Sequence, residues 1–195
     1  MMWKVFAVSV LSLGALSAAE YKIDSSHSSA GFSVKHLMVS NVKGQFSKVT
    51  GTILYDEKKP EATSVEASID VTTINTNEPK RDAHLKSPDF FEVEKYPTMT
   101  FKSKKAVKGG RGLLLTGDLT MHGVTKEVTL DVEISPEVKG MRPGMLVRGA
   151  NATAKINRKD FGLTWNRAIE TGGVVVGEEV LISIDIEANR SEAGN

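Results

Sequence analysis

Gly149-Ala150-Asn151-Ala152-Thr153-Ala154-Lys155-Ile156 is the stretch whose reading decides the fold. Its alternation has the period of two that marks a half-buried strand, with Ala150, Ala152, Ala154 and Ile156 on one face. Three of those four inward residues are small, and Gly117 and Ala30 fall on the apolar faces of other strands. Small inward side chains leave volume between facing strands. An eight-stranded barrel is just wide enough to be filled by side chains or to hold one slender ligand. The alanines favour the ligand; a tapered but filled barrel end uses the same residues.

The same period runs outward in both directions. Ser28, Ala30, Phe32 and Val34 share a face, then 36–39 and 41–44 read as a turn or short helical link. A second strand covers 46–55, with Gly51 at a bulge or bend, and ends at Lys58-Lys59-Pro60. Val65, Ala67, Ile69 and Val71 alternate on a third, and 98–107 forms a fourth. Gly109-Gly110 and His122-Gly123 signal hairpins around strands at 113–121 and 125–134, the latter carrying Val128, Leu130, Val132 and Ile134. Pro136, Gly140, Pro143 and Gly144 mark a longer loop before the strand at 146–156, and Val180, Ile182, Ile184 and Ile186 alternate along 179–188. Eight strands with regular turns predict an all-β fold, a sandwich or a barrel, and the small inward residues favour the barrel.

One segment breaks the alternation. Residues 80–101 read KRDAHLKSPDFFEVEKYPTMTF. Thr76 or Asn77 suits an N-cap, Pro79 fits a first helical turn, and Ser87-Pro88 stops the helix. Ala83 and Leu85 are its only apolar residues, so it cannot stand alone, and Phe90 and Phe91 must anchor it. It reads as a short helical lid across an open barrel end; an ordinary crossover helix is the competing reading.

Residues 1–19 have the pattern of a secretory signal. Lys4 supplies the positive region, an apolar run follows, and Ser17-Ala18-Ala19 is a cleavage pattern. That run is shorter than the about 20 residues a spanning helix needs, so export without stable membrane insertion is expected, with the protein in the periplasm. The barrel domain is then 20–190, with a flexible tail at 191–195 frayed from Arg190 onward. The 25 basic and 24 acidic residues balance once Lys4 leaves with the signal, which argues against nucleic acid. There is no Cys, so stability must come from the core and the ladder of hydrogen bonds.

Catalytic and metal chemistry find little support. His27 and His36 are an odd number of residues apart and fall on opposite strand faces unless the chain turns between them. No metal-chelating spacing joins them to His84 or His122. Asp82, His84 and Ser87 superficially suggest a triad, but one exposed helix supplies no oxyanion hole; Arg81, Asp82 and Asp89 read as lid tethers. Gly172, Gly173 and Gly177 do not lead a strand into a helix, so no phosphate loop is implied. Catalytic residues, metal ligands and a tightly bound cofactor are therefore not expected. Asn189-Arg190-Ser191 matches a glycosylation sequon of the kind that arises by chance.

Three blocks carry a family resemblance. The first is Arg81-Asp82-Ala83-His84-Leu85 with Ser87, Asp89-Phe90-Phe91 and Tyr96-Pro97. The second is Gly117-Asp118-Leu119-Thr120-Met121-His122-Gly123-Val124-Thr125-Lys126, and the third Asn157-Arg158-Lys159-Asp160-Phe161-Gly162. With His27 and Phe32-Ser33-Val34-Lys35-His36, they make the chain resemble the YceI-like family, exported bacterial proteins also described as polyisoprenoid-binding. The resemblance implies an eight-stranded antiparallel lipocalin-like barrel with a short helical lid, whose pore holds a long lipid, such as a polyisoprenoid, an isoprenoid quinone or a fatty-acid amide, and in some members a homodimer. Strand alternation then nominates Phe32, Val34, Phe46, Ile69, Leu85, Phe90, Met99, Phe101, Leu119, Met121, Ala152 and Ile156 as lipid-binding. Phe161 and Trp165 are added, as a plug or as part of the ligand's path. Storage or transport of the lipid is the expected role. An enzyme acting on an isoprenoid, or an interaction protein with a filled barrel, are the alternatives.

Overall fold

The structure is a computed structural model that describes residues 18–168 and 172–192. The expected signal, apart from Ala18 and Ala19, and the last three residues of the expected tail lie outside the described residues. Eleven strands form one antiparallel sheet: β1 (Ala19–Ile23), β2 (Ser29–His36), β3 (Ser40–Phe46), β4 (Val49–Tyr55), β5 (Ser64–Asp70), β6 (Thr98–Gly109), β7 (Gly112–Met121), β8 (Val124–Ile134), β9 (Val138–Lys139), β10 (Met145–Asn157) and β11 (Val176–Ser191). Helix α1 spans Pro79–Lys86. The sheet closes because β11 pairs with β10 on one side and with both β1 and β2 on the other. Thus β1 and β2 act as one interrupted stave, β3 and β4 as another, and the result is an eight-stave closed barrel.

Each interruption has a local cause. Between β1 and β2 the chain bulges out, and the buried hydroxyl of Ser28 takes over the ladder, donating to the Glu187 carbonyl at 3.2 Å and accepting from the Glu187 N–H at 3.1 Å. Between β3 and β4, Ser47 and Lys48 turn away from β2: Ser47 N–H donates to Thr73 Oγ1, and Asp70 N–H donates to the Lys48 carbonyl. The sequence expectation differs here. Residues 41–44 are strand, not link, and the strand expected over 46–55 breaks after Phe46. Gly44 and Gln45 weaken the alternation that would have shown it, yet Gly44 lies under the Phe32 ring, which a Cβ would meet at 2.5 Å. Gly51 is a true bend: its φ is +150°, and a Cβ would come within 2.2 Å of the Glu66 carbonyl.

The two barrel ends differ. At one end a polar plug lies on the inward face, in line with Ala150 and Ala152. Arg148 stacks on the Tyr55 ring at 4.8 Å and donates to the Ser135 carbonyl (2.7 Å), Glu57 (2.5 Å) and the Tyr21 hydroxyl (3.3 Å). Arg190 grips Glu137 through two bonds of 2.8 and 2.9 Å, and Tyr21 donates to the same carboxylate. This network also revises the expected tail: β11 continues through Ser191, because Arg190 is held by Glu137 instead of fraying. At the other end, no strand among the described residues covers the edge of β3, and the chain from 71 to 97 fills the gap through mutual hydrogen bonds of Gln45 with Asn75 and the bond from Val71 N–H to the Pro97 carbonyl.

Burial pushes the Glu137 carboxyl up, but its bonds to Arg190 and Tyr21 and the charges of both arginines outweigh that and hold it below its ordinary 4.5. A depressed carboxyl stabilises the fold above its ordinary value and loses that contribution as pH falls through the folded one. Glu137→Gln is expected to lower the unfolding free energy at neutral pH by about 1–3 kcal/mol. It should also flatten the loss of stability below pH 4.5, read by urea titrations across pH.

Candidate functional site

Between plug and lid lies an apolar cavity of about 220 Å³. Twelve of the fourteen nominated residues line it: Phe32 and Val34 from β2, Phe46 from β3, Ile69 from β5, Met99 and Phe101 from β6, Leu119 and Met121 from β7, Ala152 and Ile156 from β10, and Leu85 and Phe90 from the lid. The period of two sends the ten strand residues inward because the ladder holds each strand's pleat in phase, while Leu85 and Phe90 reach the cavity from the lid. Val128, Leu130, Val132, Val180, Ile184 and Ile186 also line it. Their alternation was visible in the sequence, but they were not nominated. A larger concavity, about 1070 Å³, lies on the outer barrel face, open and walled by outward polar side chains such as Ser33, Lys43 and Thr153.

Phe161 and Trp165, expected as a plug or as part of the ligand's path, lie outside the lining. Phe161 is 1 % exposed and packs in the core with Met121 and Leu163, outside the lining, because the turn at Arg158–Phe161 drives it beneath the barrel rim. Trp165 packs edge-on against the His84 ring, with centroids 5.0 Å apart, and lies 5.1 Å from Phe90, so it braces the lid without touching the cavity.

Arg158 is the one charged residue of that lining and is 4 % exposed. It donates to the backbone carbonyls of Gly177 (2.8 Å), Leu163 and Val176 (3.3 Å), stitching the turn after β10 to the start of β11. Burial lowers its pKa, and the nearby Glu178 charge opposes that. Among the described residues, no polar pair converges inside the cavity.

The lid is tethered by its own polar residues. Glu78, not Thr76 or Asn77, caps α1, accepting from Lys80 N–H (3.2 Å) and Arg81 N–H (2.6 Å). Thr76 is buried instead. Asp82 accepts from its N–H (2.8 Å) and hydroxyl (2.5 Å), while Arg81 donates to its hydroxyl (2.7 Å) and carbonyl (2.8 Å). Phe91 packs edge-on against Phe46 at 5.7 Å. His84 Nε2 lies 2.8 Å from Asp89, and Ser87 Oγ donates to the His84 carbonyl, so Asp82, His84 and Ser87 each have other partners and form no triad. His122 pins the far side: its Nδ1 donates to the Phe161 carbonyl at 3.2 Å, its ring meets Tyr96, and its buried Nε2 sits 3.7 Å from Glu92.

Asp24, His27 and Glu187 meet at the bulge between β1 and β2, with their ligand atoms within 4.8 Å of one another. Sequence spacing gave no hint of this, since Glu187 comes from the far end of the chain. Hydrogen bonds from the Ser26 hydroxyl and N–H, then from His27, hold the Asp24 carboxyl down at about 2. The His27 pKa is raised, first by the Asp24 bond and then by the Glu187 charge. This exposed knot lies outside the cavity lining.

Comparison with known proteins places these features in a family. The YceI-like domain matches residues 21–188. A UPF0312 protein of Staphylococcus aureus is 38 % identical over 172 residues, covering 88 % of this chain and 98 % of that one. The crystal structure of a Campylobacter jejuni YCEI protein is 36 % identical with a TM-score of 0.68, over 81 % of this chain and 90 % of that one. Burkholderia cenocepacia BcnA, 22 % identical, shares the fold at a TM-score of 0.71 over 85 % and 98 % of the two chains. A polyisoprenoid binding domain from Saccharophagus degradans, 14 % identical, superposes at 0.62 over 86 % and 97 %.

Asp82→Ala removes both acceptor bonds to Thr76 and is expected to loosen the lid by about 1–3 kcal/mol. Amide hydrogen exchange should accelerate across 76–96 while protection in β10 and β11 stays unchanged.

Proposed function

Since the chain belongs to the YceI-like family and encloses an apolar cavity under a tethered lid, we propose that it is an exported periplasmic protein that binds a long apolar lipid chain for storage or transport. The observation that carries this reading is the lining: apolar side chains throughout, interrupted only by Arg158 and Gly31. Such a surface recognises hydrocarbon and offers no acid–base pair, which favours binding over catalysis. The name of the Saccharophagus degradans domain supports a polyisoprenoid or similar chain, such as a quinone tail or fatty-acid amide.

Magnitudes constrain how the ligand enters. A chain of about 40 carbons at a net of roughly 0.3 kcal/mol per heavy atom reaches about 12 kcal/mol, a nanomolar affinity. The cavity of about 220 Å³ is smaller than the roughly 300–1,000 Å³ of ordinary ligand pockets. A long chain therefore requires the lid to move and the inward aromatics, Phe32, Phe90 and Phe101, to swing aside. That displacement lowers the affinity and slows uptake. The same small volume favours one competing reading, a barrel that stays closed and acts through its surface.

Native mass spectrometry of the protein purified from its own periplasm, followed by lipid extraction, separates the two. A stoichiometric long-chain lipid is expected. Ala152→Leu, which fills the cavity at a tolerable strain of about 1–3 kcal/mol, is expected to abolish it while leaving the circular dichroism spectrum unchanged. A chain that emerges empty and takes up neither quinones nor prenyl lipids would overturn the carrier reading.

A further inference from the structure

The loop that joins β2 to β3 is built at a cost that turn chemistry does not require. Leu37, Met38 and Val39 form its tip, with φ of +50° at Leu37 and +62° at Met38. Glycine and asparagine occupy such left-handed positions readily; bulky side chains crowd their own backbone there. These two side chains remain exposed all the same. Exposure rises along the tip from 39 % at Leu37 to 54 % at Met38 and 80 % at Val39. A strained turn that presents consecutive apolar side chains to solvent is the signature of a contact made outside the molecule.

Its surroundings define the partner. The tip stands at the lid end of the barrel: Leu37 N–H donates to the Val175 carbonyl at 2.8 Å, and Val34 and Val176, just below, line the cavity. Lys35 and Lys43 project from the outer face beside it, in the paired positions Lys35↔Asn41 and Ser33↔Lys43. Neither has a carboxylate in ion-pair range among the described residues, and the sequence from 25 to 55 contains no Asp or Glu. Two of the acids at this end are engaged elsewhere, Glu178 with Lys159 at 2.5 Å and Asp89 with His84 at 2.8 Å. An apolar wedge flanked by unpaired lysines complements a surface that is anionic outside and hydrocarbon within.

We propose that the β2–β3 tip docks the barrel reversibly on a bilayer containing anionic phospholipid, with Leu37, Met38 and Val39 in the interfacial layer and Lys35 and Lys43 against the headgroups. Docking by this end places the lid and cavity mouth toward the bilayer. Its use in lipid exchange rests on the carrier reading; the docking itself does not.

Flotation of the signal-free chain with phosphatidylglycerol–phosphatidylcholine vesicles, and with phosphatidylcholine alone, tests this. The chain is expected to float with the anionic vesicles and to be released by high salt. Lys35→Gln and Lys43→Gln should each lower partition about fivefold. Leu37→Asn combined with Met38→Gly relieves the left-handed strain, so its melting temperature should rise while flotation is lost, which a purely structural turn would not do. Wild-type chain that does not float, a variant that floats equally well, or a variant whose only change is a smaller mass in sedimentation would each overturn the proposal, the last by assigning the tip to a second copy of the chain. Uptake of a fluorescent prenyl lipid is read in parallel. Loading without flotation sinks docking alone, and flotation without loading sinks the carrier reading alone.

Discussion

Closure of the ladder between β10 and β11 is the constraint on which everything else rests. It runs unbroken from Met145↔Ser191 to Asn157↔Glu179 and turns an open sheet with two exposed edges into a ring. A chain with no cysteine has no covalent means of holding such a ring. The ladder must do it, pairing every stave on both sides, although β8 meets β10 only over 131–134. The outer edge of β3 is met by the lid segment, through the mutual bonds of Gln45 with Asn75.

From that asymmetry follow two different barrel ends. The plug end is closed by charge: two guanidiniums, two carboxylates and a phenol hydroxyl satisfy one another across β1, β4, β10 and β11. Partly buried ions are expensive to separate, so this end resists opening. The lid end is closed by aromatic packing and by hydrogen bonds that Thr76 makes to its neighbours in sequence. Such contacts break without stranding a buried charge. These unequal closures agree with the proposed entry of a chain at the lid end and with a cavity of about 220 Å³ when closed.

Inside the barrel, small side chains set the available space. Ala30, Ala150 and Ala152 line the cavity where larger residues would fill it, and Gly117 lets the Phe101 ring lie flat over its backbone, where a Cβ would meet the ring at 2.7 Å.

Strand alternation alone settled the all-β class, the count of staves and the inward face, since period-two patterning reflects the pleat and needs no partner to be read. Ten nominated residues on the strands reach the cavity for that reason, and Leu85 and Phe90 reach it from the lid. Alternation is locally silent at Gly44 and Gln45 in β3, and Phe161 and Trp165 lie outside any strand, where no pleat directs the side chain. Contacts between residues distant in the chain left no trace in any local pattern. The Tyr21–Glu137–Arg190 plug, the pin of His122 on Phe161 and Glu92, the meeting of Asp24 and His27 with Glu187, and the Arg158 clamp were decided by the tertiary structure. Local periodicity reports which way a side chain points; only closure of the barrel determines what it meets there.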